Sequence, residues 1–367
     1  MKGIRVRPLL RSDLEEINRL HRTRDDVAEE GAAEKRTELL EWLAFHNPFA
    51  GDEATYFVAE DGGNIVAFQG RMPLEFIVNG TRRKGYYVHD TYVHPEYRKK
   101  GLGFSLITAL AQATEEQSDS FFCLLGGTPL NLKIQRRMGY LELPPAPQYV
   151  KLLNPEKQLT RLLKIRPLIA LLNPLARSGL RLLDTFLLAL YTPSSRTIRS
   201  IERFDHHVDQ LIERLIPTSP ISAVKDSRYL NWRYVDRPFK RDTLLIAEEN
   251  GRPAGCMILA MNPYRPEARV GVIVDVIADP SDRETLTALC GAAIRFFIRK
   301  RANAISCIIT NPGVEQVFTK FAFRRDSAGK AVLLGNLNLT GIDRTFLEHL
   351  EHWTLTRGDS DGFMLSA

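Results

Sequence analysis

A short run of cations and glycines is the part of the sequence best suited to chemistry. It reads Arg98-Lys99-Lys100-Gly101-Leu102-Gly103. The first backbone N–H groups of a helix have no partner within the helix, and the helix dipole makes that end attractive to phosphate. The glycines let the backbone approach a ligand closely, and the cations add charge. The run therefore predicts a pyrophosphate site; a basic helix start without a ligand is the alternative.

The residues on either side predict the elements that position this run. Residues 87–93 are aromatic, β-branched and alternating, which is typical of a strand, and Pro95 ends it. The apolar residues that follow have helical spacing: Phe104, Leu106, Ile107 and Leu110. The run thus lies between the end of a strand and the start of a helix.

The pattern Val93-x-Pro95-x-x-Arg98-x-x-Gly101-x-Gly103 resembles the acyl-CoA-binding motif of the GCN5-related N-acetyltransferases, the GNAT superfamily. The resemblance implies that acetyl-CoA or another acyl-CoA is a substrate, that its pantetheine arm pairs with the strand backbone, and that no metal is needed. The residues that it implies for acyl-CoA binding are Tyr92, Val93, Arg98, Lys99, Lys100, Gly101, Leu102, Gly103 and Phe104.

The order of predicted elements over residues 3–150 is similar to the GNAT fold, an α/β (α+β) fold with a mixed sheet. A strand and two helices come first. Two hairpins follow, with turns at Asp61-Gly62-Gly63-Asn64 and Asn79-Gly80. Residues 65–71 and 74–78 are predicted as separate strands.

The second half of the chain repeats the first. Trp42-x5-Pro48-Phe49 recurs as Trp232-x5-Pro238-Phe239, and Asp90-x4-Pro95-x2-Arg98 recurs as Asp275-x4-Pro280-x2-Arg283. The repeat also includes Ala59-Glu60-x2-Gly63 with Ala247-Glu248-x2-Gly251, and Pro129-x10-Tyr140 with Pro312-x10-Phe323. A period near 185 residues indicates two tandem GNAT-like domains and not a solenoid.

The two copies differ at the run Arg98–Gly103, which we call the phosphate run. Positions 99, 100, 101 and 103 correspond to Glu284, Thr285, Leu286 and Ala288. The second copy has side chains where a phosphate must touch backbone, and it has an anion in place of a cation. We therefore expect a degenerate second domain that does not bind CoA in this way.

Four segments follow from this comparison. Residues 1–150 are predicted to be the GNAT acyl-CoA-binding domain, 151–215 a basic helical connector, 216–345 the degenerate GNAT-like domain and 346–367 a C-terminal tail. Residues 151–200 hold nine cations and two carboxylates, so this segment alone accounts for the net charge of +6. Its leucine-rich part, residues 159–190, either packs on the flanking domains or contacts an anionic membrane surface peripherally. The tail either lines the cleft between the domains or is solvated.

Composition favours a globular protein of the cytoplasm, and a location peripheral to a membrane is the alternative. Of the 367 residues, 44% are hydrophobic and 26% charged. The four cysteines form no close pairs and lie in apolar runs, which is not a disulfide or zinc pattern. No run reaches the roughly 18 apolar residues of a membrane span, and no nucleic-acid partner is expected because no binding motif is present.

The resemblance implies direct attack of an amine on the thioester in a ternary complex, without an acyl-enzyme. The candidate catalytic residues are His89, Asp90 and Glu75. The repeat favours a structural role for Asp90, because Asp275 holds the same place in the copy without the phosphate run. Many GNAT members carry a tyrosine as general acid where this chain has Gln135, which cannot donate a proton.

The leading hypothesis is an acetyl-CoA-dependent N-acyltransferase, with a small molecule or a peptide as amine acceptor. A peptidyltransferase that uses aminoacyl-tRNA is an alternative, since that family also pairs two GNAT-like domains; an intact phosphate run argues against it. A protein that binds CoA as a scaffold, without catalysis, is the third possibility.

Overall fold

The computed structural model describes residues 3–24, 31–99, 120–192, 195–239, 242–262, 266–335 and 341–360, together with residues 104, 105, 107–109, 112 and 337. Lys100, Gly101, Leu102 and Gly103 lie outside the described residues, and so does the side chain of Lys99.

Two mixed sheets form the frame of the molecule. Their strands are β1 Ile4–Pro8, β2 Tyr56–Asp61, β3 Asn64–Val78, β4 Thr81–Val93, β5 Phe121–Leu125, β6 Leu141–Ala146, β7 Gln148–Leu152, β8 Thr197–Ile201, β9 Ile221–Ala223, β10 Thr243–Glu249, β11 Arg252–Met261, β12 Val270–Ala278, β13 Ala304–Ile308, β14 Arg324–Arg325, β15 Lys330–Gly335 and β16 Trp353–Thr354. This content confirms the expected α/β (α+β) class.

Helices cover both sheets. They are α1 Leu14–His21, α2 Ala32–Phe45, α3 Pro95–Lys99, α4 Pro129–Arg137, α5 Glu156–Leu163, α6 Arg166–Tyr191, α7 His206–Leu215, α8 Ser227–Tyr234, α9 Arg283–Arg299, α10 Pro312–Lys320 and α11 Arg344–Leu347. Among the described residues, no helix is both long and apolar enough to cross a membrane.

The two sheets have the same strand order. The first runs β1-β2-β3-β4-β5-β15-β6, with β9 added beside β3 and β16 beside β9, and the second runs β8-β10-β11-β12-β13-β7-β14. Position by position, each of the seven strands from β1 to β6 in this order has a counterpart from the other half of the chain in the second sheet. The repeat seen in the sequence is therefore a repeat of topology.

Irregularities in the hairpins repeat as well. The pairing of β2 with β3 shifts register between Ala59 and Glu60, and that of β10 with β11 shifts between Ala247 and Glu248. These are matched residues in the two copies. A β-bulge is a local feature that each sequence must encode, so its recurrence supports duplication independently of strand order.

The sixth strand of each sheet comes from the other half of the chain. β7 pairs with β13 in the second sheet, while β15 inserts between β5 and β6 in the first. Val332, Leu333 and Leu334 of β15 are fully buried there. The two halves thus exchange equivalent strands and share their cores.

The predicted domain boundaries stay predictions, but the observed pairing differs from them. Residue 150 falls inside β7, which belongs to the second sheet, and β15 of the predicted second domain belongs to the first. The predicted connector 151–215 includes β8 and α7, which occupy the places of β1 and α1 in the other half. Among the described elements of the predicted connector, α5 and α6 have no counterpart in the first half.

The expected break in β3 does not occur, and this prediction was wrong. β3 is continuous through Pro73, which lies opposite Tyr86 of β4. On its other edge β3 pairs with β2 up to Gly70 and with β9 from Phe76 onwards. Pro73 lies in the gap between these partners, so its missing N–H costs no ladder hydrogen bond there.

Candidate active site

The candidate site is an opening between two parallel strands. β4 and β5 pair only at Gly85–Phe121, Tyr86–Phe122 and Tyr87–Cys123. β4 continues for six residues beyond Tyr87, to Val93, without pairing to β5. The freed edge of β4 presents backbone donors and acceptors toward the opening, and the phosphate run follows at its far end.

A bulge lies in β4 along this free edge. Phe68 pairs with Tyr92 and Gly70 with His89, so Asp90 and Thr91 together face Gln69. Asp90 has φ 45°, which is unusual for a residue with a side chain. Bulges turn backbone N–H groups out of the ladder and cluster near active sites. This bulge interrupts the ladder between β3 and β4 next to the opening.

The bulge also brings together two of the three predicted catalytic residues. The Tyr56 hydroxyl lies 3.4 Å from Nδ1 of His89 and donates to Oδ2 of Asp90 at 3.2 Å. Both side chains are buried. Burial, with a smaller effect from the charge of Arg233, lowers the pKa of His89 to about 3. A neutral imidazole with so low a pKa is a weak base.

Glu75 lies away from this pair. It sits on β3 opposite Lys84, five residues along the strand from Gly70, a separation of about 17 Å. Its carboxylate accepts from Arg82 at 2.7 Å and is partly exposed. The structure therefore gives Glu75 a surface ion pair and does not bring it near His89 and Asp90.

The ring of Tyr92 makes cation–π contacts with two arginines at the end of β4. The guanidinium groups of Arg24 and Arg98 lie 4.7 and 5.3 Å from its ring centroid. Arg98 also donates to the Tyr92 hydroxyl at 3.3 Å. Val93, next along the strand, is buried in the core on the opposite face. Arg98 is thus held close to the strand end from which the phosphate run begins.

Helix α4, which follows β5, carries two further residues of interest, Arg137 and Gln135. Phe104 is partly exposed, and the guanidinium of Arg137 on α4 lies 5.5 Å from its ring centroid. Gln135 is fully buried, and its Oε1 has no hydrogen-bond partner among the described residues. A buried acceptor without a partner costs about 1–3 kcal/mol, so it is a group that a bound donor could satisfy.

In the second half, the helix start that matches the phosphate run in sequence is capped by a carboxylate side chain of the protein itself. Asp282 caps α9 through hydrogen bonds from the Thr285 backbone and hydroxyl. Arg196 forms ion pairs with Asp282, Glu284 and Glu249. Leu286 is buried in the core.

The opening between β12 and β13 is filled by the chain's own tail. Their parallel pairing also covers three residues, ending at Val272–Ser306. Beyond it, Thr310 donates to the Trp353 carbonyl and accepts from the Leu355 N–H. Thr356 donates to Asp275 on the other side. The tail therefore lines the cleft between the two halves and is not solvated over this stretch.

A buried, charge-balanced network joins this tail to both halves. Lys225 lies 2.6 Å from Asp275 and 2.9 Å from Asp359, and Tyr87 of β4 donates to Asp359 at 2.9 Å. Burial alone would lower the pKa of Lys225, but the two carboxylates outweigh it and raise the pKa above its usual value. Arg233 donates to the carbonyls of residues 358 and 360. Sequence reasoning missed Lys225 and Arg233; the repeated aspartate was the only available signal.

The sequence of the first half matches a known family. Residues 14–131 match the model of the acetyltransferase (GNAT) family. No curated protein sequence matches the chain.

Solved structures with similar folds cover most of the chain. A GCN5-related N-acetyltransferase from Kribbella flavida has 13% identity and a TM-score of 0.59, with 92% of this chain and 71% of that chain covered. A probable N-acyltransferase from Enterococcus faecalis has 13% identity and a TM-score of 0.59, covering 91% and 72%. Saccharomyces cerevisiae N-myristoyltransferase with bound myristoyl-CoA has 13% identity and a TM-score of 0.55, covering 91% and 83%. At these identities the likeness concerns the fold.

The family match and the geometry agree on the same region. The matched residues include β4 with its bulge and β5, which form the opening, and the sequence of the phosphate run. The chain therefore contains a domain of the acetyltransferase (GNAT) family at residues 14–131.

Proposed function

We propose that this protein is an N-acyltransferase that transfers an acyl group, in the first instance acetyl, from acyl-CoA to an amine. The observation that carries the proposal is the opening between β4 and β5, with a bulge beside it and the cationic, glycine-containing run at the end of its longer strand. The acceptor would be a small molecule or a peptide, and the protein would act in the cytoplasm.

The acyl-CoA would lie along the free edge of β4. The backbone of Tyr92 and Val93 would pair with the pantetheine arm, and Arg98 with residues 99–104 would hold the pyrophosphate. The thioester would then lie at the bulge, where N–H groups of β4 could stabilise the oxyanion as the amine nitrogen attacks the carbonyl carbon. The C–S bond breaks and CoA leaves as the thiolate, without a side-chain acid at Gln135.

Asp90 is the candidate that we assign as acceptor of the proton that the acceptor's ammonium must lose so that the neutral amine can attack, directly or through water. It lies at the bulge, and Tyr56 links it to His89. His89 is the weaker candidate because its pKa is lowered to about 3. Glu75 is occupied by Arg82 and lies far along β3.

Only the first half would bind acyl-CoA. In the second half a carboxylate caps the corresponding helix and the tail fills the corresponding opening. The second half would instead close the acceptor side of the site, through the network around Asp359. A CoA-binding scaffold without catalysis has the same first half, and a peptidyltransferase that uses aminoacyl-tRNA would not need the phosphate run.

Thiol release from acetyl-CoA with a panel of amines tests the proposal. We expect amine-dependent CoA release for the wild type. In Asp90→Asn we expect kcat to fall at least about tenfold, with an unchanged KM for acetyl-CoA. Retained acetyl-CoA binding without turnover on any amine would favour the scaffold. If Asp90 is structural, Asp90→Asn would lose thermal stability instead of kcat alone.

A further inference from the structure

Helix α6 presents an apolar face that no described residue covers. Leu171, Leu175, Leu182 and Phe186 have 67%, 67%, 72% and 62% of their surface exposed. At 3.6 residues per turn these four side chains fall within about 60° of one another around the helix axis. An exposed apolar stripe of this length marks an interaction surface.

The opposite face of α6 is fixed to the second half of the protein. Asp184 is buried and accepts from Lys151 of β7 at 2.5 Å. Leu187, Leu188 and Tyr191 pack against the core of the second sheet. The exposed stripe is therefore held in a defined orientation, and it cannot turn inwards without breaking a buried ion pair.

Positive charge is concentrated in the segment that carries the stripe. Residues 156–191 contain six cations and two carboxylates, and one of the carboxylates is the buried Asp184. The six are Lys157, Arg161, Lys164, Arg166, Arg177 and Arg181. None of them forms an ion pair with a described residue. The preceding turn adds the exposed apolar side chains Leu162 and Ile165.

We propose that this face of α6, together with Leu162 and Ile165, docks on an anionic lipid bilayer. A helix with an apolar face and flanking cations lies in the plane of a membrane surface, with leucines among the acyl chains and cations at the headgroups. A second copy of the chain is a poorer occupant, because a symmetric contact through this face would bring like charges together. Docking goes beyond the acyl-transfer proposal and does not depend on it.

Co-sedimentation of the full chain with vesicles tests the docking. The vesicles are phosphatidylcholine alone, or phosphatidylcholine with phosphatidylserine. We expect the wild type to pellet with the anionic vesicles, weakly with the neutral ones, and less as salt is raised. The double variant Leu182→Glu, Phe186→Glu should bind the anionic vesicles at least about tenfold less tightly.

A matched control replaces an exposed leucine elsewhere. Leu10 on the first half has 54% of its surface exposed, so Leu10→Glu adds a charge at a similar site and should bind as the wild type does. Circular dichroism confirms that each variant is folded. A wild type that stays in the supernatant, or a double variant that pellets equally well, overturns the proposal. So does a wild-type dimer in sedimentation velocity that the double variant abolishes.

Discussion

Trp42 and Trp232 stack on each other, with ring centroids 4.6 Å apart and ring planes 16° from parallel. They occupy matched positions in the two halves of the sequence. Matched residues of the two halves therefore contact each other where the halves meet. The two halves are thus joined by a contact between helices α2 and α8 as well as by exchanged strands.

The Trp42–Trp232 stack should contribute to the association of the halves. We expect Trp42→Ala and Trp232→Ala each to cost about 3–5 kcal/mol, because a large buried aromatic is removed. A double-mutant cycle in urea should give a coupling of about 0.5–1.5 kcal/mol. Additive losses would mean that the two rings stabilise the protein independently.

Removing the charge of the buried Asp275 carboxylate should lower the free energy of unfolding far more than removing the charge of an exposed carboxylate. Asp275→Asn weakens the compensation of Lys225, and breaking a buried pair costs about 3–5 kcal/mol in unfolding free energy. Asp236→Asn is the matched control, since Asp236 pairs with Arg203 at the surface and exposed pairs contribute about 1 kcal/mol or less. Equal losses from the two variants would contradict the charge-balanced network.

His89 should make stability fall at mildly acidic pH. Its pKa is about 3 when folded and 6.5 by the usual value, so the unfolded state binds more protons between these limits. The stabilisation is complete above pH 6.5 and is lost as the pH falls toward 3. Between pH 7.5 and 5.0 we expect a loss of about 2 kcal/mol in unfolding free energy.

The contribution of His89 is isolated by comparison with a variant. His89→Gln should lose this part of the pH dependence, and urea titrations of both proteins at the two pH values measure it. The same substitution at the exposed His46 controls for the loss of a histidine. Identical pH dependence in the wild type and His89→Gln would show that His89 is not held neutral by burial.

The exchanged strands should make the halves depend on each other for folding. A fragment of residues 1–155 lacks β15, which lies between β5 and β6, and it leaves the apolar β7 without its sheet. We expect this fragment alone to be unfolded or aggregated, and to form a soluble complex when co-expressed with residues 156–367. Size-exclusion chromatography and circular dichroism measure both. A fragment that folds cooperatively by itself would contradict this.

Turns and other local features could be predicted from the sequence, whereas the pairing of strands and of distant side chains could not. The Asn79-Gly80 turn could be predicted because asparagine and glycine readily adopt positive φ, and two positions are enough to encode such a turn. Both residues have positive φ in the structure. The exchange of β7 and β15 could not be predicted, because an apolar strand carries no label for the sheet that it joins. The same holds for Lys225 and Asp359, which meet across 134 positions of sequence only in the folded chain.

In the candidate site, too, local residue patterns could be predicted from the sequence, and features that depend on strand pairing could not. The phosphate run and the strand before it were visible in residue types and spacing, while the bulge at Asp90 depends on pairing with β3. Glu75 was a candidate catalytic residue by sequence, but the pairing of β3 with β4 places it five residues along β3 from Gly70, away from His89 and Asp90. The family match extends over the first half, and the comparison of repeats located the difference between the halves.

Acetyl-CoA binding at the phosphate run is tested most directly by thermal melting with and without saturating acetyl-CoA. The wild type should melt at a higher temperature with the ligand, since ligand that binds the folded state stabilises it. Gly101→Leu, which copies Leu286 of the second half, should lose this shift. Gly179→Leu, at an open position on helix α6, should keep it. An unchanged melting temperature of the wild type with acetyl-CoA, or an undiminished shift in Gly101→Leu, would contradict the account.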